Sequence, residues 1–214
     1  MTPGEIETAA RRMMNAESSA FWSQAEIIQN YLYFSLMEFT SEIQCIENRY
    51  TTTTVASQQE YAVPSRMQQV YRLEYDSQKL QPIDFQQLDA IDLNTNTTVT
   101  GTPQYYYHFD SSFGLYPAPS TAGVTVTIYS YDQPSVPTIL STLEVPSQFH
   151  PYLVVGVAYY MSLKELGHPN TNRLQQQWLN SIEKAKITWK MRRKDNFAVV
   201  KREENYPQTT WGMV

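Results

Sequence analysis

The stretch SQAEIIQNYLYFSLMEFTSEIQCIENRYTTTTV, residues 23–55, contains the change of period that decides the fold. Ser23-Gln24-Ala25-Glu26 has the form of a capping box, and Trp22 before it is placed to staple onto Ile27 one turn in. Ile27, Ile28, Tyr31, Leu32, Phe34, Leu36, Phe39, Ile43 and Ile46 then recur at helical spacing with a broad apolar face, which predicts a helix over residues 23–48. From Arg49 the composition turns to β-formers, with four consecutive threonines followed by Val55.

Upstream, Thr2 is placed to cap and Pro3 to occupy the first turn of a short helix over residues 4–15. Its Glu5 and Glu7 lie near the positive end, Arg11 and Arg12 near the negative end. Downstream the β-formers continue. MQQVYRLEY (67–75) reads as a strictly alternating strand, 76–78 as a turn, and Asp84 as the cap of a short helix over 85–91, followed by a polar Thr/Asn-rich connection over 94–101. Residues 104–109 form the next strand, 110–114 a turn, and Leu115-Tyr116 its continuation; Pro117 and Pro119 then interrupt pairing, and VTVTIYSY (124–131) is the clearest half-buried strand. In the triplet Tyr105, Tyr106 and Tyr107, alternate side chains point to opposite sheet faces, so at least one is expected inside and its neighbours outside.

Helix returns after Pro146, where Ser147 is placed to cap a run through Tyr152, Leu153, Val155, Val157, Tyr160 and Leu163 to Leu166, with Gly167 as the stop. Asn170 or Thr171 opens the next helix, whose stripe is Leu174, Trp178, Ile182, Ala185 and Trp189. Helices of this length gain most of their stability from packing, so the flanking helices must pack on one another and the β-region is an insertion between them. The expected fold is therefore α+β, in four parts. Residues 1–48 and 146–195 supply the helices of one bundle, 49–145 an inserted antiparallel β-domain of five or six strands, and 196–214 an extended C-terminal arm. The arm has no helical period yet carries Tyr206, Trp211 and Met213, which a purely solvated tail would not usually do.

Charge is distributed unevenly along the 214 residues. The net charge is −5, and only 17% of residues are charged against roughly 25% in typical chains. Ser, Thr, Asn and Gln make up 66 residues instead, a balance that suits surfaces facing other protein surfaces. No Lys or Arg lies between Lys79 and Lys164, an interval that holds Asp84, Asp89, Asp92, Asp110, Asp132 and Glu144. Phosphate backbones are held by Lys and Arg, so this middle is no nucleic-acid cradle. Basic residues gather instead near the end, where Arg192, Arg193 and Lys194 read first as a solvated helix face.

Enzyme signatures are missing. The chain has no G-x-S-x-G elbow, phosphate-binding glycine loop or H-E-x-x-H pair, and Cys45, His108, His150 and His168 are scattered singly, so no catalytic, cofactor or metal site is expected. His108, two residues before Asp110, reads as a structural strand histidine rather than part of a dispersed Ser/His/Asp site. Cys45 reads as a small buried hydrophobe. The single cysteine is compatible with a reducing compartment; the charged N-terminus lacks a signal-peptide core, and no apolar run is long enough for a membrane span. The expectation is a soluble protein made in the cytosol.

Several phrases, in order, resemble the adaptor proteins of tailed-phage head-to-tail connectors, of the short-tailed type with a β-domain inserted in a helical bundle. They are YAVP (61–64), MQQVYRLEY (67–75), KLQPIDF (79–85), YYYHFD (105–110), GLYPAP (114–119), YSY (129–131) leading to Gln133-Pro134, and FHPYLV (149–154). They lie within residues 50–165, about half of the chain; the flanking helices match only in kind. The resemblance implies a structural virion protein and not an enzyme. Such adaptors form a dodecameric ring beneath the portal protein, touch adjacent copies of themselves, continue the DNA channel without sequence-specific binding, and present a platform to the downstream tail or nozzle protein. It also implies that the arm engages the portal, through Phe197, Val199, Tyr206, Trp211 and Met213, with Arg192, Arg193 and Lys194 at its root. Two other readings remain at this point: another neck component such as a stopper or tail terminator, and a glycan- or nucleic-acid-binding β-module using exposed tyrosines.

Overall fold

The computed structural model describes residues 1–84, 86–88, 99–165 and 168–195, with side chains to Met191. Helix α1 spans Pro3–Met13 and begins with a complete capping box, in which the Thr2 side chain accepts from the Glu5 N–H while the Glu5 carboxylate accepts from the Thr2 N–H. Helix α2 is one helical rod built of Gln24–Glu26, a wider π-helical segment Ile27–Leu32, and Tyr33–Ile43. Ser23 caps it, its hydroxyl accepting from the Glu26 N–H at 3.2 Å. Trp22 and Ile27 are both buried in the bundle core, as a staple requires.

The rod ends five residues earlier than its apolar spacing predicts. Gln44 adopts a left-handed conformation (φ 55°, ψ 49°) and closes the last turn through its N–H to Thr40 O, so Cys45 and Ile46 are buried as part of the exit from the helix. Helix α3, His150–Lys164, is entered through a 3₁₀ turn at Ser147–Phe149 and has no side-chain cap; Ser147 does not serve as one. Helix α4 spans Thr171–Asp195. The predicted stop at Leu166 and Gly167 lies outside the described residues.

Helix α3 is apolar nearly all round because it is sandwiched: Leu153, Val157, Ala158 and Met161 are fully buried among side chains of α1, α2 and α4. Gly156 lets the Trp178 ring of α4 approach its backbone, since a Cβ there would lie 2.9 Å from the ring carbons. The predicted stripe of α4 is the buried one, with Leu174, Trp178, Ile182 and Ala185 inside and Trp189 half-buried. Trp178 donates to Glu38 Oε2 at 2.6 Å and Lys186 reaches Glu42 at 2.6 Å, so α4 runs parallel to α2.

Between α2 and α3 the chain builds a two-sheet domain. Strands β1 (Glu47–Thr53), β10 (Thr125–Asp132), β3 (Met67–Tyr75) and β4 (Gln78–Lys79) form one sheet in the order β1-β10-β3-β4. Strands β2 (Glu60–Ala62), β8 (Ser112–Tyr116), β7 (Tyr105–Phe109) and β5 (Gln81–Pro82) form the second in the order β2-β8-β7-β5, and β6 (Thr100–Gly101) pairs with β9 (Ala118–Pro119). The pairs β5–β7 and β6–β9 are parallel and the other pairs are antiparallel. The count exceeds five or six because two-residue strands carry no readable period. Leu73, Phe113, Leu115, Val126 and Ile128 form the core of this domain.

The strict alternation expected of β3 fails. Arg72 lies opposite Tyr129 but Val70 opposite Ser130, and Gln69 opposite Tyr131 but Met67 opposite Asp132, so Tyr71 and Gln68 are bulged residues that reset the pattern. The β7–β8 turn is tighter than expected, two residues with Asp110 at φ 50°, and the strand resumes at Ser112. The tyrosine triplet departs in a different way. Tyr106 and Tyr107 are both buried, in separate apolar clusters, because the second sheet is covered on both faces, its outer one by Ile83 and Leu88. Asp84 does cap, its carboxylate accepting from the Gln87 N–H at 2.7 Å, with 86–88 helical; Phe85 and residues 89–98 lie outside the described residues.

Gly114 stands opposite Tyr107 in the β7–β8 pair, and a Cβ there would overlap the Tyr107 ring. Gly114→Ala is expected to cost about 2–3 kcal/mol of stability through overpacking. That corresponds to a fall in Tm of roughly 4–12 °C for a chain of this size. Differential scanning calorimetry checks it, and an unchanged Tm would contradict the packing described.

Candidate assembly surfaces

Two chain crossings join the β-domain to the bundle, and they are clamped together. The Asp132 N–H donates to Ile46 O at 2.9 Å, and its buried carboxylate accepts from Ser130 Oγ (2.7 Å), Asn48 Nδ2 (3.0 Å) and the Tyr50 hydroxyl. Burial, and then the bond to Asp132, hold the Tyr50 phenol above its ordinary pKa. Arg66 binds Gln133 O and the Glu144 carboxylate, and Gln44 Nε2 donates to Gln69 Oε1 at 2.7 Å. Of the acids in the stretch without Lys or Arg, Asp132 and Glu144 are thus used internally, while Asp84 and Asp110 are exposed. Asp89 and Asp92 lie outside the described residues.

The histidines stay apart. His108 lies on β7, its pKa lowered by burial, with its ring edge-on to Tyr106. His150 is buried in the bundle with Nε2 against Val145 O (2.9 Å), and His168 precedes α4 with Nδ1 accepting from the Asn170 N–H. Among the described residues no group of three or more His, Cys, Asp or Glu is placed to hold a metal ion, and no helix is long and apolar enough to cross a membrane. Burial pushes the Cys45 thiol up to about 12, the state of an inert core thiol. Of the tyrosines of the β-domain, Tyr106, Tyr107, Tyr116 and Tyr131 are buried, and the exposed Tyr71 stacks on Tyr131.

What the surface does offer is apolar side chains on separate elements. On α4, Leu179, Ile187 and Met191 recur at multiples of four on the side away from Trp178 and Ile182, each about half exposed. Before α3, Val136, Ile139 and Leu140 project from an irregular segment, Leu140 at 86% exposure, and Ile139 lies over Gly4 at the start of α1. Sequence reading passed over both. The α4 set was legible as a second stripe on a helix whose buried stripe was already assigned, whereas VPTIL (136–140) has no period to read.

The predicted arm residues Phe197, Val199, Tyr206, Trp211 and Met213 lie outside the described residues. Helix α4 passes through Arg192, Arg193 and Lys194 as backbone, with their side chains outside the described part. Helix α4 runs parallel to α2, and Trp189 packs on Phe149, so the described end of α4 lies at the end of the bundle that carries the β-domain.

Leu140→Ser and Ile187→Ser are each expected to leave Tm within about 2 °C, because surface substitutions shift stability by about 0.5 kcal/mol at most. A thermal melt of either variant falling by more than about 5 °C would show that the side chain is packed within the subunit.

No curated protein matches the chain. The family model for SU10 adaptor protein matches residues 1–201, which takes in the bundle and the β-domain. The chain belongs to the SU10 adaptor family, a family of structural phage proteins at the head-to-tail junction that interact with other head and tail proteins of the virion.

Proposed function

We propose that the protein forms a ring of copies, twelve by the family resemblance, that docks beneath the portal, continues its DNA channel and receives the downstream tail or nozzle protein. The family match over residues 1–201 carries this reading. The distribution of surfaces supports it. A ring closes through two different patches on every subunit, and the apolar stripe of α4 and the Val136, Ile139 and Leu140 patch belong to different elements. In the same reading the C-terminal arm engages the portal, with Phe197, Val199, Tyr206, Trp211 and Met213 as apolar contacts and Arg192, Arg193 and Lys194 at its root. Aromatic anchors of this kind dominate binding energy when they enter pockets of a partner. Asp84 and Asp110, exposed in a stretch without Lys or Arg, suit a wall along which DNA slides without sticking.

Native mass spectrometry of the protein mixed with the portal ring of the same phage tests the reading. Full-length copies are expected to load to saturation, and a chain ending at Asn196 to load far less. If neither chain binds a competent portal, the adaptor reading fails; if both load equally, the arm is not the portal contact.

A further inference from the structure

A groove of about 620 Å³ runs along the outward side of α1, beside the irregular segment that precedes α3. Its floor holds Glu5, Thr8, Ala9 and Arg12, which stand at i, i+3, i+4 and i+7 of one helix. Four residues at this spacing enclose the hole into which a facing helix inserts one side chain. Thr8 and Ala9 are small, which leaves the hole open. Ile139 and the almost fully exposed Leu140 wall the groove near the start of α1.

A side chain that fits lies on another flank of the subunit. Ile187 of α4 is about half exposed on the side away from Trp178, with Glu183 one turn before it and Lys190 about one turn after. Charge order fixes how the two surfaces meet. Glu5 and Arg12 are seven residues apart on α1, and Glu183 and Lys190 seven apart on α4, so both pairs are spaced by about 10 Å. Laid antiparallel, the helices bring Arg12 opposite Glu183 and Glu5 opposite Lys190; laid parallel, they oppose like charges. Among the described residues neither Arg12 nor Lys190 forms an ion pair. Glu183 carries charge in surplus, since it shares the Lys186 ammonium with Glu42.

The fold withholds this contact within one chain and presents it between chains. Ile6 and Ala10 of α1, and Trp178 and Ile182 of α4, all lie in the bundle core, so the groove and the Ile187 side both face out of it. Helix α1 runs with α3: Arg11 near its end holds Trp22 O, and Trp22 donates to Met161 O near the end of α3. Helix α4 runs against α3, with Trp178 at Gly156 and Trp189 at Phe149. The two helices are therefore antiparallel, and a rotation about an axis along the bundle keeps them so between neighbouring copies.

We propose that Ile187 of one copy inserts between Glu5, Thr8, Ala9 and Arg12 of the next, with α4 antiparallel to the neighbour's α1. The contact is heterologous: each copy offers its groove to one neighbour and its α4 to the other. It deepens the ring reading, rests on it, and names the two surfaces through which the ring closes.

Bismaleimide crosslinking of a chain with Arg12→Cys and Glu183→Cys tests the contact, on free copies at high concentration and on copies loaded on the portal ring. Complementary charges set register more than affinity, so these substitutions leave the contact in place. The native Cys45 is buried. The doubly substituted chain is expected to give a ladder of dimers, trimers and longer products. Each single variant alone is expected to stay monomeric, and the two mixed to stop at dimers. Adding Ile187→Ser is expected to cut the ladder about tenfold. No ladder in either setting overturns the proposal, and so does a ladder that Ile187→Ser leaves unchanged. A single variant that crosslinks with itself also overturns it, by marking a two-fold contact. Portal loading, read by mass, judges the adaptor reading separately: loading without a ladder overturns only the contact, and a ladder without loading overturns only the portal role.

Discussion

A carboxylate at 2% exposure must be solvated by the protein itself, and Asp132 is solvated at the seam on which the rest of the molecule depends. Ser130, Asn48 and Tyr50 donate to it from the two strands that enter and leave the β-domain, while its own N–H is bound to Ile46 O at the exit from α2. Burying an ion costs several kcal/mol unless its lone pairs are satisfied, so this cluster is stable in one arrangement of the strands and penalised in others. That fixes the register of β1 on β10 and the entry of the domain into the bundle. Arg66, bridging Gln133 O and Glu144, closes the return crossing beside it.

From this seam follows the placement of everything that faces outward. Helix α3 leaves it and is enclosed by the other three helices, which fixes α4 parallel to α2 and brings its end back to the β-domain. The stripe of Leu179, Ile187 and Met191 is thereby turned outward. A subunit that contacts other head and tail proteins needs distinct surfaces in a fixed relation. The low share of charged residues is consistent with that requirement, because interface cores are depleted in charge.

Much of this was legible in the residues. Thr2, Pro3, Ser23 and the stripe from Leu174 to Ala185 carry local signals that tertiary structure did not override. The helix-to-strand change near residue 48 was placed too late, because Cys45 and Ile46 are apolar for a tertiary reason and the left-handed turn at Gln44 has no glycine to announce it. The bulges at Tyr71 and Gln68 were hidden because alternation looks intact until the partner strand is known. The burial of both Tyr106 and Tyr107 was not legible, because a sheet read alone has one wet face, whereas here Ile83 and Leu88 cover the other. The structural role was legible only through the order of phrases across residues 50–165, since no single residue carries chemistry. The exposed apolar surfaces of α4 and of residues 136–140 were the least legible, being defined by what the fold leaves uncovered.

The central claim is that copies of this chain form the ring joining the portal to the tail. A cryo-electron microscopy reconstruction of the neck of the virion that contains the protein tests it most directly. The account predicts a closed ring of helix-bundle subunits against the portal, each fitting the fold described, with α4 ending toward a neighbouring component. A neck whose ring between portal and tail is built from another fold, with this chain elsewhere in the particle, would contradict it.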